Sequence, residues 1–315
     1  MTELKLKLPD GFLDEEVRCG YTVTSDAKKQ WAVCLDLLAE FDRVCTEHAI
    51  SYFASGGTLL GAIRHNGYIP WDDDIDIIMS RDNYERLVDI AETEFMDPYF
   101  FQTEDTDIGF SRPFARLRNS NTTAIQTIED SNFVPYNQGI FIDIFPFDNF
   151  PDDPKEQIEY KQKMISLRKK MSKFSKWSTR YKPNPNVKGI AKAKSTIKRL
   201  IAKILRWYML RFHKHNPYYK KYVKTSTQYN NIETKEWAVP YFFKPDVNNS
   251  YEKSLFSEVE RVPFEMLTVP VPKAYEKILT QGYGNWREFI IGTNAHGRTI
   301  YDVDRSYKYY LTPKK

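Results

Sequence analysis

The chain has 315 residues, 41% hydrophobic and 28% charged, with 13 Gly and 17 Pro. That length and balance support one large or two modest packed domains and exclude collagenous and bulk-disordered classes. The net charge of +4 is unevenly spread: 21 of the 46 Lys and Arg fall between Lys161 and Lys224, where no Asp or Glu occurs.

Residues 1–22 read as a polar arm. From Thr24 or Ser25 as N-cap, Trp31, Cys34, Leu35, Leu38, Phe41, Val44 and Cys45 recur at helical spacing and predict a helix to about Glu47. Ile50–Ala54 reads as a short strand ending in Ser55-Gly56-Gly57, followed by a helical stretch from Thr58 to Arg64. After an Asn66-Gly67 turn, Ile75, Ile77 and Ile78 form a β-branched strand closed by Ser80, which caps a helix from Arg81 to about Thr93. Further strands fall at Tyr99–Gln102, Phe114–Leu117 and Gly139–Phe145, and Pro146, Pro151 and Pro154 punctuate the end of that region. Beyond the basic segment, Val262–Pro270 reads as a strand pair and Pro272–Leu279 as a helix. The pattern is α+β, a mixed sheet flanked by helices. It divides into an arm (1–22), a core (23–150), a basic helical insertion (151–235) and a C-terminal part that completes the core (236–315). The three cysteines, Cys19, Cys34 and Cys45, form no C-x-x-C pair and read as reduced core residues. No apolar run reaches 18 residues and Met1–Glu16 has no signal-peptide layout, so neither a spanning helix nor secretion is expected.

Within the insertion, Ile190, Ala193, Ile197, Leu200, Ile201, Ile204, Leu205, Tyr208 and Phe212 follow an i, i+3, i+4 rhythm. Lys192, Arg199, Lys203 and Arg206 fall opposite, and Lys194 and Arg211 intrude on the stripe. Two readings stay open. The helix lies in an anionic membrane surface, with residues 161–224 as the attracting segment, or its stripe packs on the protein and the cations merely face water.

The chemistry concentrates between Ser55 and Asp76. Side chains two apart on a strand share a face, so Asp74 and Asp76 can grip one hard cation while Ile75 and Ile77 pack behind. Asp72 and Asp73 lie just before them, and a divalent ion relieves four carboxylates in five positions. Gly56-Gly57, between a strand and a helix start, permits close approach of a phosphate to backbone amides. Asp143, among Ile and Phe on a buried strand, is a third candidate carboxylate. Arg116 and Arg118 alternate on a strand, placed either to contact phosphate or to form ion pairs; Arg64 is a candidate phosphate ligand, and His65 reads as structural.

The stretch Ser55–Asp76 closely resembles the LicD family of phosphocholine transferases, relatives of the fukutin-type ribitol-phosphate transferases in the nucleotidyltransferase-fold superfamily. The likeness extends to Gly61, Arg64, Pro70-Trp71-Asp72, Arg116-Leu117-Arg118, Thr122, Ile142–Pro146 and Tyr283-Gly284. Two features depart from the pattern: Asn285 stands where Asp is common, and the cationic block is not part of it. The resemblance implies a nucleotidyltransferase-like core and transfer of a phospho-alcohol, phosphocholine above all, from a CDP-activated donor to a hydroxyl of a cell-surface glycan or its lipid-linked precursor. It implies Mg²⁺, with Mn²⁺ able to replace it, held by Asp72, Asp74, Asp76 and Asp143. Asp74, Asp76 and Asp143 would then be catalytic, Asp143 either completing the metal site or taking the acceptor's proton. Gly56, Gly57, Arg64, Trp71, Arg116 and Arg118 would bind substrate, Trp71 offering an aromatic face to a choline headgroup. The enzyme would work in the cytoplasm, at the inner face of the cell membrane. Competing readings are a nucleotidyltransferase acting on RNA or protein, against which the resemblance speaks, and a nonenzymatic anion- or membrane-binding module.

Overall fold

The computed structural model describes residues 1–126, 136–178, 188–245, 249–292 and 299–311; Arg180 and Lys182 of the cationic block lie outside the described residues. In chain order the elements are β1 (Glu16–Arg18), β2 (Tyr21–Val23), α1 (Ser25–Glu47), β3 (Phe53–Ala54), α2 (Gly56–His65), β4 (Asp76–Ser80), α3 (Arg81–Glu94), β5 (Tyr99–Gln102), β6 (Ala115–Asn119), β7 (Thr123–Gln126) and β8 (Ile140–Phe150). Then follow α4 (Pro154–Ser178), α5 (Gly189–Arg211), α6 (Tyr219–Ser226), β9 (Glu236–Ala238), β10 (Ser250–Glu252), β11 (Val259–Phe264), β12 (Leu267–Pro272), α7 (Tyr275–Tyr283), β13 (Thr299–Asp302) and α8 (Lys308–Leu311).

The central sheet is mixed. Its path runs β10-β9-β8-β4-β3, with β6 also on β8 and β5 outside β6. Among the described residues only β4 and β8 pair in parallel, and this register sets Asp76 beside Asp143. β8 serves two antiparallel neighbours, β6 along Ile140–Ile144 and β9 along Asp148–Phe150. It runs straight through Pro146, which the sequence reading placed at the end of the strand. The reason is geometric: Asp143 N–H donates to Ile75 O, the residue before β4, so by alternation residue 146 faces the other side, between the ends of β6 and β9, where a missing N–H costs no ladder bond. β6 and nearly all of β8 are buried, β8 as its Ile- and Phe-rich run requires and β6 with its arginines paired to Asp143, Gln102 and Gly139 O. The Ile50–Ala54 strand shortens to two residues because β3 pairs only with Ile77 and Ile78 at the sheet's end.

α1 starts where Thr24 Oγ1 accepts from Ala27 N–H, and packs on β8 and β6. α3 starts at Ser80, whose Oγ accepts from Asn83 N–H, and packs on β8 and β4. The β11–β12 hairpin packs against β3 and α2. Its tip carboxylate, Glu265, accepts from Arg18 at 2.9 Å and from Tyr68 N–H at 3.1 Å, which also ties down the N-terminal arm. α4 and α6 share a smaller core around Tyr160, Met164, Met171 and Tyr222, closed onto the sheet by Phe150 and Phe243. Cys34 and Cys45 are buried, whereas Cys19 is exposed and not a core residue. Among the described residues no helix is long and apolar enough to cross a membrane.

Candidate active site

The acidic loop is held from behind by α1. Trp31 Nε1 donates to Asp72 O at 2.9 Å and Gln30 Nε2 to Asp73 O at 2.8 Å, while Trp31 stacks on Tyr68 with ring centroids 4.4 Å apart. Neither residue is flagged by sequence motif; their signal is only that they sit on the helix face toward the core. The start of α2 is pinned to β4 in turn: Thr58 Oγ1 accepts from Asp76 N–H at 2.8 Å, and Ser55 N–H donates to Asp76 O at 3.0 Å.

These constraints gather carboxylates. One oxygen from each of Asp72, Asp73 and Asp74 lies within 4.8 Å of the others. Asp73, which the sequence reading left out of the ligand set, is part of this cluster and accepts from Tyr301 Oη on β13 at 3.1 Å. Burial, then the charges of Asp76, Asp72, Asp73 and Asp143, push the Asp74 carboxyl well above the usual carboxylate range. Hard oxygen donors crowded this closely fit a divalent cation, which would relieve that repulsion.

The glycine turn faces the acids. A methyl built on Gly56, whose φ is +54°, would lie 3.2 Å from Asp76 Oδ2 and 3.8 Å from the Tyr283 hydroxyl. A side chain on Gly57 would run into the Asp72 carboxylate. Ser55 provides no side-chain cap to α2, so the first amides of that helix are available to an anion.

Two cavities meet at this point. One, of about 460 Å³, is lined by Gly57, Arg64, Trp71 and Asp72 to Asp74, with Asn285 and Glu288 opposite. The other, of about 430 Å³, is lined by Ser55, Gly56, the aromatic rings of Tyr241, Phe242 and Tyr251, and the cations Arg168 and Lys244. Asp76 and Tyr283 border both. Tyr283, assigned no role from sequence, has its hydroxyl pKa raised by burial and by Asp76.

The remaining candidates divide. Arg64 lines the first cavity, donates to the carbonyls of Trp286 at 2.7 Å and Glu288 at 2.9 Å, and so staples the C-terminal segment over the site. Burial, Arg64 and Arg18 depress His65 to about 4, which leaves it neutral. Arg116, 2% exposed, donates to Asp143 Oδ1 at 2.6 Å and Oδ2 at 3.4 Å and lies 3.6 Å from the Phe141 ring centroid. Arg118 is fully buried, donating to Gln102 Oε1 at 2.5 Å and Gly139 O at 2.6 Å. Asp143, Arg116 and Arg118 line neither cavity: the two arginines alternate along β6, but β5 and β8 cover both of its edges and the sheet's face there is closed.

Residues 49–183 match the model of the LicD/FKTN/FKRP nucleotidyltransferase domain. The lipopolysaccharide cholinephosphotransferase LicD of Haemophilus influenzae is 37% identical over 164 residues, 52% of this chain and 60% of that protein. The human ribitol 5-phosphate transferase FKRP is 38% identical over 74 residues, 20% of this chain and 15% of its own length. An uncharacterised protein of Rickettsia prowazekii is 49% identical over 47 residues, 15% of this chain and 18% of its own. The chain thus spans less than two thirds of the curated relatives it matches. The matched segment runs from β3 through the acidic loop and β8 into α4, so this part of the chain is a LicD/FKTN/FKRP nucleotidyltransferase domain.

Proposed function

We propose that the protein is a Mg²⁺-dependent phosphotransferase that moves a phospho-alcohol, phosphocholine first among them, from a CDP-activated donor to a hydroxyl of a cell-surface glycan or its lipid-linked precursor. The observation that carries this reading is the meeting of two cavities at Asp76 and Tyr283, with a carboxylate cluster on one side and a glycine turn beside it. A donor spanning that junction would put its nucleotide between the aromatic and cationic walls of one cavity. Its headgroup and the acceptor would occupy the other, against Trp71.

Asp72, Asp73 and Asp74, with Asp76 adjoining, would hold the cation, which when bound neutralises the pyrophosphate and the departing CMP. The α2 amides at Gly56 and Gly57 would orient the phosphates. The acceptor oxygen attacks the phosphorus bearing the alcohol, the bond to the CMP oxygen breaks, and the hydroxyl proton passes to a carboxylate facing the cavity, Asp72 or Asp76. Asp143, clamped by Arg116 and outside both cavities, fits the task of fixing the geometry of β4 rather than that of a base. The name of the relative with the longest match supports phosphocholine as the transferred group.

The test is CMP release from CDP-choline, CDP-ethanolamine, CDP-glycerol and CDP-ribitol with Mg²⁺ and glycan acceptors. Acceptor-dependent CMP from CDP-choline is expected. CMP only from another donor replaces the headgroup, and no CMP from any donor alongside transfer of a nucleotide from ATP, CTP or UTP onto RNA or protein replaces the reaction.

A further inference from the structure

α5 touches the rest of the protein on one narrow face. Ala202 and Met209 are its only buried residues among those described, seven positions apart and so nearly aligned along the helix. At about 100° per residue, the apolar stripe is turned roughly a third of a revolution away from that face. It is open: Ile190 is 78% exposed, Ile197 and Leu200 58%, and Ile204 56%. The packing reading of this stripe therefore fails, since the stripe is not what α5 buries. Trp207, 62% exposed, stands at the border between the stripe and the basic face.

An exposed stripe of this length needs an occupant, and its surroundings select one. Lys194 and Arg211 lie within it and Lys198 at its border, all exposed, in a segment with no carboxylate. A second copy laid stripe to stripe would set these cations against their counterparts. An anionic bilayer accepts both features: the aliphatic side chains enter the acyl boundary, Lys194 and Arg211 snorkel to the phosphates, and Trp207 sits at headgroup depth. A 23-residue helix lying flat covers about 34 Å of surface. We propose that α5 is an interfacial anchor that docks this protein on an anionic lipid surface. The inference stands on α5 alone and does not depend on the transfer reaction.

The test is co-sedimentation of the full chain with vesicles of phosphatidylcholine, alone or with about a third phosphatidylglycerol, at low and high salt, beside light scattering without lipid. Binding to the anionic vesicles that fades with salt is expected. Ile197→Glu with Ile201→Glu should abolish it, and Lys194→Gln with Lys198→Gln should weaken it about 25-fold, at roughly fivefold per cation. Because these side chains are exposed, both variants should keep the parent's melting temperature and its CMP release with a soluble acceptor. Failure to bind vesicles, equal binding to neutral ones, self-association that Ile197→Glu removes, or binding of RNA in place of lipid would each overturn the anchor, whatever the outcome of the CMP assay.

Discussion

Asp76 is the residue on which the two cavities converge, and its amide and carbonyl are both fixed by the start of α2. Asp76→Asn keeps that backbone pinning and removes one charge, so turnover should fall roughly a thousandfold while the melting temperature holds; CMP release near the parent rate would remove Asp76 from the reaction. Gly57→Ala probes the same geometry without touching a charge. Its methyl must displace the Asp72 carboxylate, and a shift of an ångström at a reacting centre costs about a hundredfold in turnover. Kinetics like the parent's would mean that the closeness of Gly57 and Asp72 is incidental. At this scale the site was legible where its members are neighbours in sequence: Asp72, Asp74 and Asp76 declare themselves by spacing. Asp73 could not be separated from them on paper, since only its contact with Tyr301, 228 residues away, shows that it is held in the cluster. Tyr283 was legible only as part of the family likeness, without a role until the fold set it beside Gly56.

Elements rather than residues decide how rigid the acidic loop is. Trp31→Phe leaves most of the ring in the core but deletes the donor to Asp72 O, a bond whose net stability contribution is about 1 kcal/mol. The loop lies over the cavity, so the variant should lose turnover at least tenfold for that small stability change; parallel melting and rate measurements check it, and an unchanged rate would mean that the remaining holds on the loop suffice without Trp31. Helices α1 and α3 were readable because cap residue and apolar period agree, and the β11–β12 hairpin because its two strands are rich in Val and Pro. What was not readable depends on partners. Pro146 marks a strand end by its own chemistry, and only the gap between β6 and β9 lets β8 pass through it. The arginines of β6 have the alternation of cleft residues, yet whether a sheet face is open is a property of what lies over it.

Across the whole molecule, one of the joints between the insertion and the core is the buried carboxylate of Glu104. Glu104 Oε1 accepts from Asn216 N–H at 2.9 Å, just after α5, and Oε2 accepts from Gly109 at 3.2 Å and Ser111 at 2.5 Å. Burial pushes this carboxyl up to about 7 against the pull of those three amides, whereas the unfolded chain titrates near 4.5. The folded state therefore binds the proton more tightly. The resulting stability is fully present below about pH 4.5, shrinks as pH rises, and is gone above about pH 7. A displacement of this size corresponds to as much as about 3 kcal/mol between the two ends of that window. Asp74 and Asp107 are shifted in the same direction, so the parent curve alone does not isolate Glu104. Glu104→Gln does: denaturant unfolding at pH 5 and pH 8 should show a smaller loss of stability for the variant, by up to about 3 kcal/mol, on a lower absolute curve because an amide cannot accept at both ends. Equal losses in the two proteins would mean that Glu104 titrates as it does in the unfolded chain, and that this joint between insertion and core is neutral to pH.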